Sequence, residues 1–124
     1  MLRFLILGLS GALGTICRYW LSGWVHQLFG TDLPYGTFLV NVTGCLLIGF
    51  LGTLANEKLV LSSETRLALF IGFLGAFTTF SSFSFETWNL FKEGQILEAG
   101  MTAISTLVVC FLVLILGVFL ARLL

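Results

Sequence analysis

The chain has 124 residues, of which 58% are hydrophobic and 10% are charged, and its formal net charge is zero. Soluble globular domains carry roughly 25% charged residues, so this composition excludes an ordinary soluble domain and indicates a protein embedded in a lipid bilayer. Zero net charge and the lack of a basic tract argue against a nucleic-acid-binding surface, and no nucleic-acid partner is expected.

Four apolar segments are long enough to cross a bilayer as helices, which requires about 20 residues each. The predicted spans are, in chain order, Leu2–Val25, Tyr35–Ala55, Arg66–Leu90 and Ile96–Leu123. The first resembles a signal peptide, but apolar sequence continues without a convincing cleavage site, so we interpret it as a helix. The short connections leave no room for a soluble domain. Residues 1–124 are therefore predicted to form one all-α transmembrane domain with both termini on the same side.

Positive charges are distributed between the two ends of these spans with only a weak bias. The side of the termini has four positive residues, Arg3, Lys58, Arg66 and Arg122. The opposite side has Lys92 and, if it lies close enough to the end of its helix, Arg18. A weak bias permits insertion in both orientations. Two oppositely inserted copies would form the inverted repeat that many transporters encode within one chain.

Four helices do not readily enclose a polar pathway by themselves. Small residues four positions apart supply surfaces for close helix packing, namely Gly8/Ala12, Gly11/Thr15 and Gly72/Ala76. We therefore predict an oligomer, most simply a dimer. The three cysteines, Cys17, Cys45 and Cys110, are isolated within apolar stretches and are interpreted as small apolar packing residues rather than a disulfide framework or a zinc site.

Two charged residues and one amide are predicted to lie at or near membrane depth. A charge there costs on the order of 3 kcal/mol or more. Arg18 lies deep in the first span and Glu86 late in the third, where each could instead extend toward an interface. Asn41 lies near the middle of the second span. Its amide could join two helices through a hydrogen bond or donate to a solute in a pathway, and both interpretations remain open.

The stretch Gly72–Trp88, GFLGAFTTFSSFSFETW, combines phenyl rings with six hydroxyl side chains. At about 100° per residue, Phe80 and Phe83 lie on one face of a helix, whereas the hydroxyls are spread around it. Bonding back to the carbonyl four residues earlier accounts easily for one or two hydroxyls. The others, preceded by Gly72 and Gly75, predict a helix that is broken or surrounded by protein, with freed carbonyls facing a polar cavity or an ion.

Neutral donors, an amide and an arginine favour an anion as the solute of such a pathway. The edge of a phenyl ring is positive and can contact a small anion, whereas its face would favour a cation, and the sequence does not decide how the rings turn. Conduction requires binding strong enough to admit the ion and weak enough to release it. Hydroxyls and ring edges satisfy both requirements.

Three motifs resemble the signatures of the small fluoride channels, also called CrcB or Fluc proteins and historically camphor resistance proteins: GALGTICRY, YGTFLVNVTGCLLIG and GFLGAFTTFSSFSFE. The resemblance covers nearly the whole chain in length, number of spans and order of motifs. It implies an antiparallel, dual-topology homodimer in a bacterial plasma membrane. Such a dimer has two antiparallel pores and exports fluoride passively, which relieves fluoride toxicity.

The resemblance also implies roles for individual residues. The pore would be lined by phenylalanines, an amide and hydroxyls, with an arginine in the vestibule: Phe80, Phe83, Asn41, Ser81, Ser82 and Arg18. A structural sodium ion at the dimer axis would be held by the backbone carbonyls of Gly75 and Thr78 from each subunit, in agreement with a broken third span. The family usually has Gly at Ala76 and Thr at Ser82. In the fourth span Ser105 and Thr106 are polar, but neither is assigned a role.

The alternative function is that of a small four-span drug/proton antiporter, a class that is also often dual-topology. Proton-coupled exchange needs a titratable carboxylate deep in the membrane, and Glu86, near a helix end, is the only candidate. An enzyme is not predicted. Catalysis requires a positioned base or nucleophile, and the lone His26, at the end of the first span, has no partner at a plausible spacing.

Overall fold

A computed structural model describes all 124 residues as five helices that form four spans. The helices are α1 (Leu2–Phe29), α2 (Tyr35–Glu57), α3 (Ser63–Arg66, Leu67–Leu74 and Gly75–Phe77 in succession), α4 (Phe80–Lys92) and α5 (Ile96–Leu123). The middle part of α3 is a wider π-helix, a form that is often found at functional sites. Together α3 and α4 make the third span, and all four spans are long and apolar enough to cross a membrane.

The all-α fold with four spans is confirmed, and the observed helices extend beyond several predicted ends. Span one continues to Phe29, span two to Glu57, and span three runs from Ser63 to Lys92. Local signals set these ends. Gly30 follows α1 with φ 84° and donates its amide to the His26 carbonyl, and the Ser62 hydroxyl accepts from the Thr65 amide at the start of α3. A capping hydroxyl of this kind satisfies an amide that the helix leaves without a partner.

The helices pack most extensively as two pairs, α1 with α3 and α2 with α5. In the first pair, a Cβ atom on Gly14 would overlap the backbone of Phe73, and one on Gly72 would overlap the Ser10 side chain. Of the small residues predicted to pack closely, Gly11, Gly72 and Ala76 lie at this contact, whereas Gly8 has no neighbour within 4 Å of a built Cβ.

The second pair runs in parallel, with the two helices offset by about 65 residues in sequence. The Arg122 guanidinium at the end of α5 binds the Glu57 carboxylate at the end of α2, with Nη2 and Oε1 2.8 Å apart. Further along, a Cβ on Gly49 would lie 3.2 Å from Leu114 Cα, and one on Gly117 would lie 2.8 Å from the Phe50 amide nitrogen. The helix backbones therefore touch directly at these glycines.

The interior is small, since only 18 of the 124 residues are buried. Large apolar side chains point outward along every span, including Leu9 at 70% exposure, Ile104 at 67% and Phe111 at 65%. Soluble proteins do not expose apolar surface on this scale. The surroundings of the helices must therefore be apolar, as in a multi-pass membrane protein.

Candidate functional site

The third span is interrupted at Thr78 and Thr79, as the sequence predicted for this region. Thr78 has φ −80° and ψ 155°, and Thr79 has φ −149° and ψ 114°, so both are extended. The glycines do not cause the break. Gly75 is helical with φ −64° and ψ −33°, and Gly72 serves the contact with α1. Restart of the helix is instead fixed by Thr79, whose hydroxyl accepts from the Ser82 amide at 3.2 Å.

Asn41 on α2 binds the interruption from the side. Its Oδ1 accepts from the Thr79 amide at 2.8 Å, and its Nδ2 donates to the Thr79 carbonyl at 3.0 Å. The interhelical hydrogen bond foreseen for this amide is therefore present, and its partner is backbone. An extended backbone residue in a low-dielectric interior needs such partners for both polar groups. Asn41 is itself only 8% exposed.

The six hydroxyls of the Gly72–Trp88 stretch divide into two equal groups. Three bond back to the carbonyl four residues earlier: Thr78 to Leu74 at 3.0 Å, Ser84 to Phe80 at 2.9 Å and Thr87 to Phe83 at 2.7 Å. The other three form one cluster at the interruption, where the Thr79 hydroxyl lies 3.1 Å from Ser82 Oγ and 3.3 Å from Ser81 Oγ. Back-bonding thus explains half of the hydroxyls, and the break explains the rest.

The interruption leaves the backbone carbonyls of Gly75 and Thr78 without a hydrogen bond. In a continuous helix they would accept from the amides of Thr79 and Ser82, four residues further on. Those amides bind Asn41 Oδ1 and Thr79 Oγ1 instead. Gly75 is exposed and Thr78 is half-exposed. Two free oxygens of this kind are suitable ligands for a hard cation.

A groove with a cavity volume of about 420 Å³ lies between α2, the third span and α5. Its walls include Asn41, Thr79, Phe80, Phe83 and Thr106. The ring centroids of Phe80 and Phe83 are 5.4 Å apart with a 53° angle between the planes. Phe83 is 8% exposed and Phe80 is 71% exposed, so the groove is open toward the outside of the molecule.

Thr106 was not assigned from the sequence, although its position in the groove gives it a place in the site. It is 5% exposed, and its buried hydroxyl has no hydrogen-bond partner. A buried polar group without a partner is costly and calls for a ligand or another explanation. The sequence did show that Thr106 places a hydroxyl within the most apolar span. It did not show which face of α5 turns toward the other helices.

A second cavity, of about 370 Å³, is polar and lies on the other side of the interruption. Arg18, His26, Thr37, Ser82 and Glu86 are among its lining residues. Thr37 donates its hydroxyl to Glu86 Oε1 at 2.8 Å, and the other carboxylate oxygen, Oε2, is buried without a partner. Arg18 and Glu86 therefore line the same polar chamber. Thr37 also lines this chamber, and the sequence did not point to it.

Thr79 lines both cavities, so the interruption separates a polar chamber from a phenyl-lined groove. Every side chain expected in the pathway lies beside one of the two cavities, except Ser81, which is exposed and joins the hydroxyl cluster through Thr79. These features define a small multi-pass membrane protein of the channel or transporter class, with an interrupted helix between two openings.

Comparison with known proteins identifies the family within that class. A family model described as "CrcB-like protein, Camphor Resistance (CrcB)" matches residues 5–118. The chain therefore belongs to the CrcB-like family, as its motifs predicted.

Several relatives match this chain over most of its length. A protein of Geotalea daltonii named "Fluoride-specific ion channel FluC" is 43% identical over 122 residues, covering 98% of each chain. One of Maridesulfovibrio salexigens with the same name is 46% identical over 85% of this chain and 81% of its own. A third, from Methylococcus capsulatus, is 41% identical over 98% of this chain but only 53% of its own length. The name describes a channel rather than an enzyme, and nothing in these comparisons supports the antiporter alternative.

Proposed function

We propose that this protein is a fluoride-selective channel that lets fluoride leave the cell passively and thereby relieves fluoride toxicity. The name of its full-length relatives, fluoride-specific ion channel, supports this function. The observation in the protein itself that carries the proposal is the interrupted third span. Its uncharged hydroxyls lie between a polar chamber and a groove that is lined by phenyl rings.

The chamber suits the first stage of anion transfer. Arg18 supplies a positive charge there, and Ser82 and Thr79 supply hydroxyl donors at the interruption. An anion attracted by the arginine would exchange water for these hydroxyl donors, which carry no formal charge themselves. Neutral donors hold an ion less tightly than a fixed cation does, which permits release.

The groove suits the second stage. Phe80 and Phe83 are tilted by 53°, so their faces do not lie parallel around a common point. A small anion that moves along the groove would be stabilised wherever it meets a positive ring edge, as the quadrupole of the ring favours. Asn41 Nδ2 has a second hydrogen beyond the one bound to Thr79, and Thr106 offers a further hydroxyl in the groove. Ser81 adds a hydroxyl next to the groove through its contact with Thr79. Together these groups would replace the hydration shell of fluoride.

We further propose that the functional unit is an antiparallel homodimer in a bacterial plasma membrane. Phe80 is 71% exposed in the single chain, so one wall of the groove must come from elsewhere if fluoride is to be shielded from lipid. A second copy in the opposite orientation would supply that wall for each of two pores. The weak charge bias of the sequence supports insertion in both orientations.

A structural sodium ion fits the free carbonyls of the interruption. Gly75 and Thr78 of each subunit would hold it, because these oxygens lack amide partners within the chain. Bound there, sodium would supply positive charge that satisfies backbone oxygens at membrane depth. Exchange of sodium for a bulky organic cation should then lower the thermal stability of the dimer, and equal stability in both salts would remove the ion from the proposal.

Flux from liposomes tests the function directly. Vesicles that contain the purified protein are loaded with potassium fluoride, and a potassium ionophore is added to carry the counter-charge. Fluoride should appear outside on ionophore addition, whereas chloride-loaded vesicles should release no chloride. Equal fluxes of the two anions would reject fluoride selectivity, and no flux of either would reject the channel.

A further inference from the structure

Cys45 on α2 and Cys110 on α5 lie at the same level of the molecule. The offset between them is the 65 residues that relate Glu57 to Arg122 at the end of the same helix pair. Both thiols are half-buried, both line the groove that contains Phe80 and Phe83, and both lie one helical turn before the backbone contact of Gly49 with Leu114. The third cysteine, Cys17 on α1, lines neither this groove nor the polar chamber.

The packing of α2 on α5 holds the two thiols together. Cys45 precedes Gly49 by one helical turn, and Cys110 precedes Leu114 by one turn. At the Gly49–Leu114 contact a Cβ would overlap backbone, so no side chain separates the two helices there. The Cys45 and Cys110 side chains, one turn away, are therefore held close together by the contact between the two helix backbones.

Two adjacent thiols select a particular kind of metal ion. Thiolates are soft ligands that prefer soft ions. Zinc would require about four ligands in a tetrahedron, and the chain has no cluster of three or more His, Cys, Asp or Glu side chains suited to a metal. Hg(II) is a soft ion that forms linear complexes with two ligands. Such an ion requires only this pair of thiolates.

Charge balance at membrane depth favours a divalent ion over a monovalent one. Each thiol must lose its proton to bind, and two thiolates with one divalent ion make a neutral product. The same two thiolates with a monovalent ion would leave one negative charge, which is costly in a low-dielectric interior. The reaction breaks two S–H bonds, forms two S–metal bonds and releases two protons to solvent, with no change of oxidation state.

We propose that Cys45 and Cys110 form a two-thiolate site for a soft, linearly coordinated divalent metal ion, and that an ion bound there obstructs the adjoining groove. Binding at the site is independent of the proposed channel function. Only the obstruction rests on that function, because both thiols lie in the wall of the groove where Phe80 and Phe83 are placed in the pathway.

Intact-protein mass spectrometry with Hg(II) as the probe tests the site. After one equivalent, the wild-type protein should retain one Hg per chain against a competing monothiol and lose it to a dithiol. Cys45→Ala and Cys110→Ala should each lose the metal to the monothiol, and Cys17→Ala is the matched control that should behave as wild type. Cys45→Ser and Cys110→Ser repeat the test with a polar replacement. Retention by all the Cys45 and Cys110 variants, or loss from Cys17→Ala, would overturn the site.

Fluoride flux measured on the same samples tests the obstruction. Each protein is compared with its own rate before Hg(II) is added, so a change in basal rate does not matter. Hg(II) should suppress efflux at least about tenfold, or about 1.4 kcal/mol of barrier, in wild type and Cys17→Ala. It should leave the Cys45 and Cys110 variants unaffected. Retained metal with undiminished flux would overturn the obstruction. Absence of flux before Hg(II) would instead overturn the channel function, while mass spectrometry would still decide the site.

Discussion

Asn41 supplies the two hydrogen bonds that the extended Thr79 backbone cannot obtain from a helix. Both groups of the amide are engaged, at 2.8 Å and 3.0 Å. The residue therefore has a structural task that is separate from any contact with fluoride, although its position in the groove permits both.

Replacement of Asn41 by leucine should consequently weaken the fold as well as conduction. Asn41→Leu leaves the half-buried Thr79 amide and carbonyl unpaired, at a cost of up to about 1–3 kcal/mol for each group. We expect a lower thermal midpoint in detergent and reduced fluoride flux. Thr43→Val is the control, since Thr43 is half-buried on the same helix and does not bind the interruption. A flux defect with an unchanged midpoint would assign Asn41 to the pathway alone.

The two phenyl rings should affect flux more than stability. Phe80→Ile and Phe83→Ile keep apolar bulk but remove the ring edge. If the edge stabilises the ion by about 1.4 kcal/mol, fluoride efflux should fall about tenfold. Phe85→Ile is the matched control, because Phe85 is 66% exposed on the same helix and lines neither cavity. Unchanged efflux in both pore variants would remove the rings from the pathway.

For single residues, the sequence predicted which side chains lie close together on one helix. It did not predict which side chains pair between two helices. A spacing of three residues placed Phe80 beside Phe83, as the 5.4 Å separation confirms. The pairing of Asn41 with Thr79 spans 38 residues, and that of Thr37 with Glu86 spans 49. Neither follows from helical periodicity, since each depends on how two helices are rotated against one another.

At the scale of the element, the spans and the break could be predicted, but the cause of the break could not. Apolar length predicted four helices, and a polar stretch with glycines predicted an interruption. The glycines suggested the wrong mechanism, because glycine in a packed membrane helix often serves close contact between backbones. Gly72 does so. The extended residues are threonines, and Thr79 obtains its backbone partners from the Asn41 amide.

The direct backbone contact between α2 and α5 should make Gly49 intolerant of any side chain. Gly49→Ala would place a methyl group against the Leu114 backbone, and overpacking of this kind costs about 1–3 kcal/mol. We expect a loss of monodisperse protein and a lower thermal midpoint. Gly52→Ala, on the same helix with nothing within 4 Å of its built Cβ, should behave as wild type. Equal midpoints for the two variants would show that the helices separate easily.

At the scale of the whole molecule, the positive charges are concentrated at the end where the chain begins and finishes. Lys58 donates to the Arg122 carbonyl at 3.5 Å, and Arg66 donates to Asn56 at 2.9 Å, so these three cations share one end. Glu57 neutralises part of this charge by pairing with Arg122. Acidic partners of this kind contribute little to orientation, which depends on the count of lysine and arginine.

The proposed dual topology can be tested by its sensitivity to added charge. Reporters that function on only one side of the membrane, fused to the C-terminus, should both be active for the natural sequence. Leu59→Lys with Val60→Lys adds two cations to the exposed loop beside Lys58, and Val60 is fully exposed. This variant should direct that end to the cytoplasm and abolish the other signal. A single signal from the natural sequence would contradict dual insertion.

The sequence predicted a partner that could cover the open groove, an antiparallel second copy, only through its resemblance to a family. Apolar surface that faces lipid and apolar surface that faces a second copy have the same composition, because lipid tails are as apolar as leucine. Phe80 and Ile104 are similarly exposed, at 71% and 67%, yet only Phe80 lines the groove beside the interruption.

The pairing of the helices also constrains how the chain is made. Span one packs chiefly on span three, and span two chiefly on span four, so neither pair consists of neighbours in sequence. During synthesis, the first two spans therefore lack their main packing partners until the third and fourth spans have been translated. The glycine contact of α2 with α5 and the Glu57–Arg122 pair form only when translation is nearly finished. A chain whose synthesis stops before the fourth span therefore leaves α2 without its main packing partner.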